Sequence, residues 1–163
     1  MVKKITAVLF LSFFIKLGAE AAMISVLVIE TGLPQEGNKN QHSERWESNI
    51  LDVFFDAGHI VSNAPILRLD ARLDANPQGE IQNIASADIN EARDTGSDYF
   101  IVAHLDYTPA SQSPGKILLV LYSTTPIKKI ADKQFAGKTY KSLKDEDDDL
   151  KKIIRELVPY LTQ

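Results

Sequence analysis

Asp98, His104 and Asp106 are the side chains of this sequence whose types and spacing come nearest to chemistry. His104 and Asp106 stand two apart in an apolar run, Tyr99–Tyr107, that reads as a strand, so they share one face. Asp98 lies eight residues before Asp106, on the same parity. A His–Asp pair can act as a general base with its orienting carboxylate, or supply two ligands of a metal, with Asp98 as a weaker candidate beside them. A third ligand or a nucleophile at a defined spacing is missing from this pattern. Ser111 and Ser113 follow, but not within a Gly-x-Ser-x-Gly elbow. The plainer reading is a solvated strand end beside the turn-rich loop 108–115.

Two other stretches invite a similar question. Asp145-Glu146-Asp147-Asp148-Asp149 is a carboxylate run of the kind hard cations favour. It lacks the central Gly and terminal Glu of an EF-hand, and it suits the positive end of a helix. The loop Thr31–Ser43 joins a strand to a helix start, a place that can hold an anion. Its Gly32 and Gly37 fit no phosphate-binding pattern, so Asn40 and His42 read as surface residues. The chain has no Cys, which excludes thiol catalysis and Cys-type zinc sites. No cofactor is expected.

The elements that would position these residues alternate. Met23–Ile29 reads as a strand. Ser43 is an N-cap candidate for a helix carrying Trp46, Ile50, Val53, Phe54 and Ala57, which Gly58 ends. His59–Val61 reads as a short strand. Residues 62–78 read either as an alternating strand or as an irregular crossover. Ile81, Ile84, Ala85, Ile89 and Ala92 mark a helix stopped by Gly96. Strands follow at 99–107, 117–122 and 130–136, then a helix from about Asp147 whose last turn Pro159 distorts. The order is β-α-β-α-β-β-β-α, an α/β fold with a mixed sheet of about five strands. Helical crossovers favour parallel pairing first, and short turns favour antiparallel pairing later. Phe54, Ile84, Ile101, Leu119 and Ile154 are expected in the core.

The N-terminus has a different character. Lys3 and Lys4 precede an apolar stretch, Ile5–Ile15, and Ala19-Glu20-Ala21 fits a small-x-small cleavage pattern. Residues 1–21 therefore read as a signal peptide, and 22–163 as a single domain. The apolar stretch is shorter than the ~20 residues a bilayer requires. The full chain carries a net charge of −4, and removal of Lys3, Lys4, Lys16 and Glu20 with the leader makes the remainder more acidic. An acidic domain is a poor partner for nucleic acid. The expected location is periplasmic or secreted, with no membrane span after cleavage.

Thr95-Gly96-Ser97-Asp98-Tyr99-Phe100-Ile101-Val102-Ala103 resembles the "GADYLIVG" helix-to-strand element of the TolB N-terminal domain and of CsgG-like and LpoB-like envelope proteins. Val120 to Ile130 is similar to their "LYDVATGKVL" hairpin, with Ser123 in place of Asp and Pro126 in place of Gly. Phe135-Ala136-Gly137 is similar to the "FSG" closing the next strand. The resemblance covers roughly residues 90–160. It implies a small periplasmic α/β domain that binds other envelope proteins, and it transfers no catalytic residue.

The function expected is thus that of an exported, non-enzymatic binding or assembly domain with an envelope protein as partner. The alternative is a metal-dependent or His/Asp-based hydrolase built on Asp98, His104 and Asp106. The binding residues would lie on strand 130–136, whose Lys129, Asp132, Lys133 and Gln134 mark a polar sheet edge. An extended partner segment could add to that edge, with Lys128, Lys129 and Lys133 favouring an acidic one; the competing reading is that these lysines only blunt the edge against self-association, which every open sheet needs.

Overall fold

A computed structural model describes residues 21–32, 41–69, 77–107 and 113–161. These form an open, mixed six-stranded sheet with four helices packed against it. The strands are β1 (Met23–Thr31), β2 (Ile60–Asn63), β3 (Leu67–Leu69), β4 (Tyr99–Tyr107), β5 (Pro114–Thr124) and β6 (Ile127–Ala136). The helices are α1 (Gln41–Asp56), α2 (Pro77–Ile84), α3 (Ser86–Asp94) and α4 (Leu143–Arg155), followed by a 3-10 turn at Val158–Tyr160. The order across the sheet is β2-β1-β4-β5-β6. β1 pairs in parallel with β2, β3 and β4, whereas β5 pairs antiparallel with β4 and β6.

The near-continuous apolar runs of β1 and β4 are explained by helices on both sheet faces. Ile24, Val26, Val28, Ile101, Ala103 and Leu105 face α1 and α4, meeting Trp46, Phe54, Leu150 and Ile154. Leu27, Ile29, Phe100, Val102 and Val120 face α2 and α3, meeting Ile81, Ala85 and Ile89. Of the expected core residues, Phe54, Ile101, Leu119 and Ile154 are fully buried, while Ile84 is only partly so. Gly58 and Gly96 stop their helices at φ values of 90° and 91°, a conformation that side chains with a Cβ rarely adopt.

Three expectations are corrected and one open alternative is decided. Part of 62–78 forms β3, which brings the expected mixed sheet of about five strands to six. β2 and β3 lie end to end along β1, and Ala64–Ile66, with the donor-less Pro65, interrupt what would be one strand. The helix expected over 81–92 is two helices that meet at Ala85, although hydrogen bonds from Ala85 N–H to Ile81 and from Ile89 N–H to Ala85 span the join. Ser43 is no N-cap: α1 starts at Gln41, and the Ser43 hydroxyl is turned inward to Tyr107. The last helix starts at Leu143 rather than near Asp147, because Ser142 caps it by accepting the Asp145 N–H at 3.2 Å.

Candidate functional site

The parallel strands β1, β3 and β4 end side by side. In open α/β sheets that end is where chain connections diverge and ligands enter. His104 and Asp106 reach it from β4, and their partner there is Thr31 at the end of β1. The Thr31 hydroxyl lies 2.9 Å from His104 Nε2 and donates to Asp106 Oδ1 at 3.3 Å. With its own proton given to Asp106, Thr31 must accept from His104, which places a proton on Nε2. A His that donates here is the reverse of a base that activates a hydroxyl. Thr31 is 0 % exposed and His104 is 6 % exposed, so the pair is closed to a substrate. Burial pushes the His104 pKa below its ordinary 6.5, against an upward pull from the Asp106 carboxylate.

Asp98 does not join them. It precedes the other end of β4, six residues from His104, or about 20 Å at ~3.3 Å per residue. Its carboxylate instead accepts the Met23 N–H at 2.8 Å. Among the described residues, no three His, Cys, Asp or Glu side chains are grouped to hold a metal ion. Ser113 lies just before β5, while Gly37, Asn40 and Ser111 lie outside the described residues.

The opposite face of the same end holds polar pairs that the sequence reading did not bring together. Glu30 on β1 is almost wholly buried and accepts from Arg68 Nε on β3 at 2.7 Å. Ser43 and the Tyr107 hydroxyl are 2.9 Å apart, and burial pushes the Tyr107 pKa well up. The acidic run is a helix tether. Glu146, 2 % exposed, meets His42 Nδ1 at 2.6 Å. Asp147 accepts from Arg45 at 2.8 Å and from Asn49 at 3.0 Å, joining α4 to α1. Arg45 Nε is 3.5 Å from Glu146, near enough to attract but misaligned for a hydrogen bond. Asp149 accepts from Lys138 and Tyr140, and the Lys138 contact holds its carboxyl below the usual range. Glu146 and Asp147 thus tie α4 to α1, and Asp149 ties α4 to the segment that precedes it.

β6 forms one edge of the sheet. Its pairing determines which backbone groups face outward. Gly137 N–H donates to the Gly115 carbonyl at 2.9 Å, which makes 115/137 a hydrogen-bonded pair. In an antiparallel ladder such pairs alternate with open ones. By the observed register, Phe135, Lys133 and Ala131 bond inward to Ile117, Leu119 and Leu121. Asp132, Gln134 and Ala136 therefore point their N–H and C=O groups away from β5. Lys129 pairs with Asp132, and Lys133 stands 3.4 Å from Glu156 of the segment after α4. Gln134 is exposed. A bulge between Leu121 and Tyr122 interrupts the register on the Lys129 side. No helix among the described residues is long and apolar enough to cross a membrane.

The fold and this edge define an open-sheet α/β domain. Residues 34–117 match the model of a protein family described as "Uncharacterised protein", and the chain belongs to that family. No curated protein sequence matches it. Among solved structures it is similar to the PelC dodecamer from Paraburkholderia phytofirmans, at 14 % identity over 88 % of this chain and 90 % of that chain, with a TM-score of 0.49. It is also similar to the LpoB C-terminal domain from Salmonella enterica, at 11 % identity over 79 % of this chain and 92 % of that one, with a TM-score of 0.44. Protein XCC0632 from Xanthomonas campestris shows 12 % identity over 89 % and 88 %, with a TM-score of 0.37. At such identities the likeness assigns no role to any residue.

Proposed function

We propose that this protein is exported to the cell envelope and acts there as a non-enzymatic binding or assembly domain, taking up an extended segment of a partner protein along β6. The observation that carries this reading is the outward row of backbone donors and acceptors at Asp132, Gln134 and Ala136 on a ten-residue edge strand. Such a row is a template for a further strand. Backbone bonds would supply affinity, and the side chains of Lys129, Asp132, Lys133 and Gln134 would supply selection. Since Lys129 and Lys133 are already offset by Asp132 and Glu156, the partner's charge contributes less than its extended backbone.

The hydrolase reading has less to support it. His104 is turned to a buried threonine, and Asp98 stands at the far end of the strand. The test is Gln134→Pro, which deletes one outward N–H without touching the β5 ladder. Crosslinking in intact envelopes should capture a partner with the parent chain and lose it with the variant. Equal capture by a folded Gln134→Pro protein would exclude strand addition at this edge.

A further inference from the structure

Every backbone polar group of Ala22 and Met23 is engaged. The Ala22 N–H donates to His59 Nδ1 at 3.3 Å, and the Ala22 carbonyl accepts from Ile60 at 2.9 Å. The Met23 N–H donates to the Asp98 carboxylate at 2.8 Å, and the Met23 carbonyl accepts from the Asp98 N–H at 2.8 Å. Ala21, one residue earlier, is exposed. The cleavage pattern Ala19-Glu20-Ala21 places the cut at that same boundary. The two observations are independent, since one concerns leader chemistry and the other contacts made from residues 59 and 98.

We propose that His59 and Asp98 form a seat for the processed N-terminus, holding the α-ammonium group of Ala22. This rests on the export reading above. Hydrolysis of the Ala21–Ala22 amide by the export machinery's peptidase adds water's hydroxyl to the Ala21 carbonyl. The amine left on Ala22 takes a proton at neutral pH. A peptide N–H offers one donor, whereas the ammonium offers three and a positive charge. His59 is buried, and its Nδ1 must be unprotonated to accept. Asp98 supplies the opposing charge. Its carboxylate is bonded to Met23 N, and the Ala22 nitrogen is only one residue away, within roughly 6 Å by backbone dimensions. Among the described residues, His59 and Asp98 are the ionisable side chains hydrogen-bonded to this segment. The engaged groups also impose an order: the bond must be cut before β1 closes onto β2 and β4, because a peptidase needs the Ala22 backbone free.

The test uses the full chain expressed in a Gram-negative host and recovered from its periplasm. Mass spectrometry defines the N-terminus. The acetylation rate of the Ala22 amine is then followed against pH, folded and in urea. An ordinary α-amine titrates near 7.7–8.0, and a carboxylate raises that midpoint. The expected result is a terminus at Ala22, a midpoint raised by about one unit, and acetylation near neutrality about tenfold slower in the folded protein. Asp98→Asn keeps an oxygen for Met23 N–H and should return the midpoint to the ordinary range. The parent chain's pH profile is decisive even where that variant folds poorly. An intact Met1 overturns the export reading and this proposal with it, whereas a cut at another position overturns the seat at Ala22 alone. A terminus at Ala22 whose midpoint is unshifted overturns the seat alone, even when the rate is slow, because shielding without charge pairing leaves the midpoint in place.

Discussion

The end of β4 and the edge of β6 differ in a way their residue types do not announce. At the first, Thr31, His104 and Asp106 have the vocabulary of catalysis, yet they turn toward one another, with Thr31 and His104 buried and Asp106 half-buried. At the second, Asp132, Gln134 and Ala136 are ordinary residues, but their backbone groups face outward. Buried polar groups must find partners, and once found those partners consume them. Availability therefore lies at the edge, where the fold supplies no neighbour among the described strands. The following expectations break or sharpen that contrast.

The largest effect belongs to the core that makes both regions rigid. Ile101 and Phe54 are 0 % exposed, and truncating either to Ala should cost about 2–5 kcal/mol in denaturant unfolding. A cost below about 0.5 kcal/mol, typical of surface positions, would remove that residue from the core.

The closed cluster comes next. Thr31→Val keeps the shape but strands the His104 N–H and one Asp106 acceptor, at a cost of about 1–3 kcal/mol. If the cluster were a working site instead, the variant would be near neutral for stability. The cluster also has a pH signature. Burial lowers the His104 pKa in the folded state, so below 6.5 the unfolded chain takes up the proton first. The stability this neutral His contributes is complete above pH 6.5 and is lost as pH falls from there through the folded-state value. Melting temperature should therefore decline as pH drops below about 6.5, and His104→Gln should flatten that limb. Asp149, whose carboxyl Lys138 holds low, adds its loss only at more acid pH, below its ordinary 3.8.

Much of the fold was legible because its signals are local. The dense apolar runs of β1 and β4 announce strands covered on both faces, and Gly58 and Gly96 announce helix ends. The β6 edge was legible because its polar residues interrupt the apolar ones. The start of α4 was also within reach: Ser142 and Asp145 have capping spacing, but the denser acids beyond them drew the boundary onward. What was not legible depends on distance along the chain. Glu30 meets Arg68 across 38 residues and Glu146 meets His42 across 104, so no spacing rule reveals either pair. Asp98 shares parity with His104, but parity says nothing about which end of a strand a residue occupies.

A smaller effect separates neighbours in the acidic run. Asp147 accepts from both Arg45 and Asn49, so Asp147→Ala should cost roughly 0.5–1 kcal/mol, discounted for its partial exposure. Asp148→Ala should fall within about 0.5 kcal/mol of the parent. Calcium should stabilise neither variant nor parent, because Glu146, Asp147 and Asp149 already bond to this chain's own side chains. A saturable calcium response lost in Asp147→Asn with Asp148→Asn would assign the run to metal instead.

The smallest cost, that of Gln134→Pro, is the one that bears most on the edge. Lys133 and Gln134 are adjacent on β6, yet by alternation the Lys133 N–H points to Leu119 and the Gln134 N–H points outward. Proline at 133 deletes a ladder bond and should cost about 0.5–1.5 kcal/mol beyond any shared strain of the ring. Proline at 134 deletes a donor that has no strand to receive it, and an edge strand tolerates that change. Thermal unfolding of the two variants compares like with like, since both carry the same ring in the same strand. A clear deficit for Lys133→Pro over Gln134→Pro confirms which groups face outward. The reverse deficit, Gln134→Pro costing more than Lys133→Pro, would mean that the register of β6 differs from the one described, with the outward row at the odd-numbered residues.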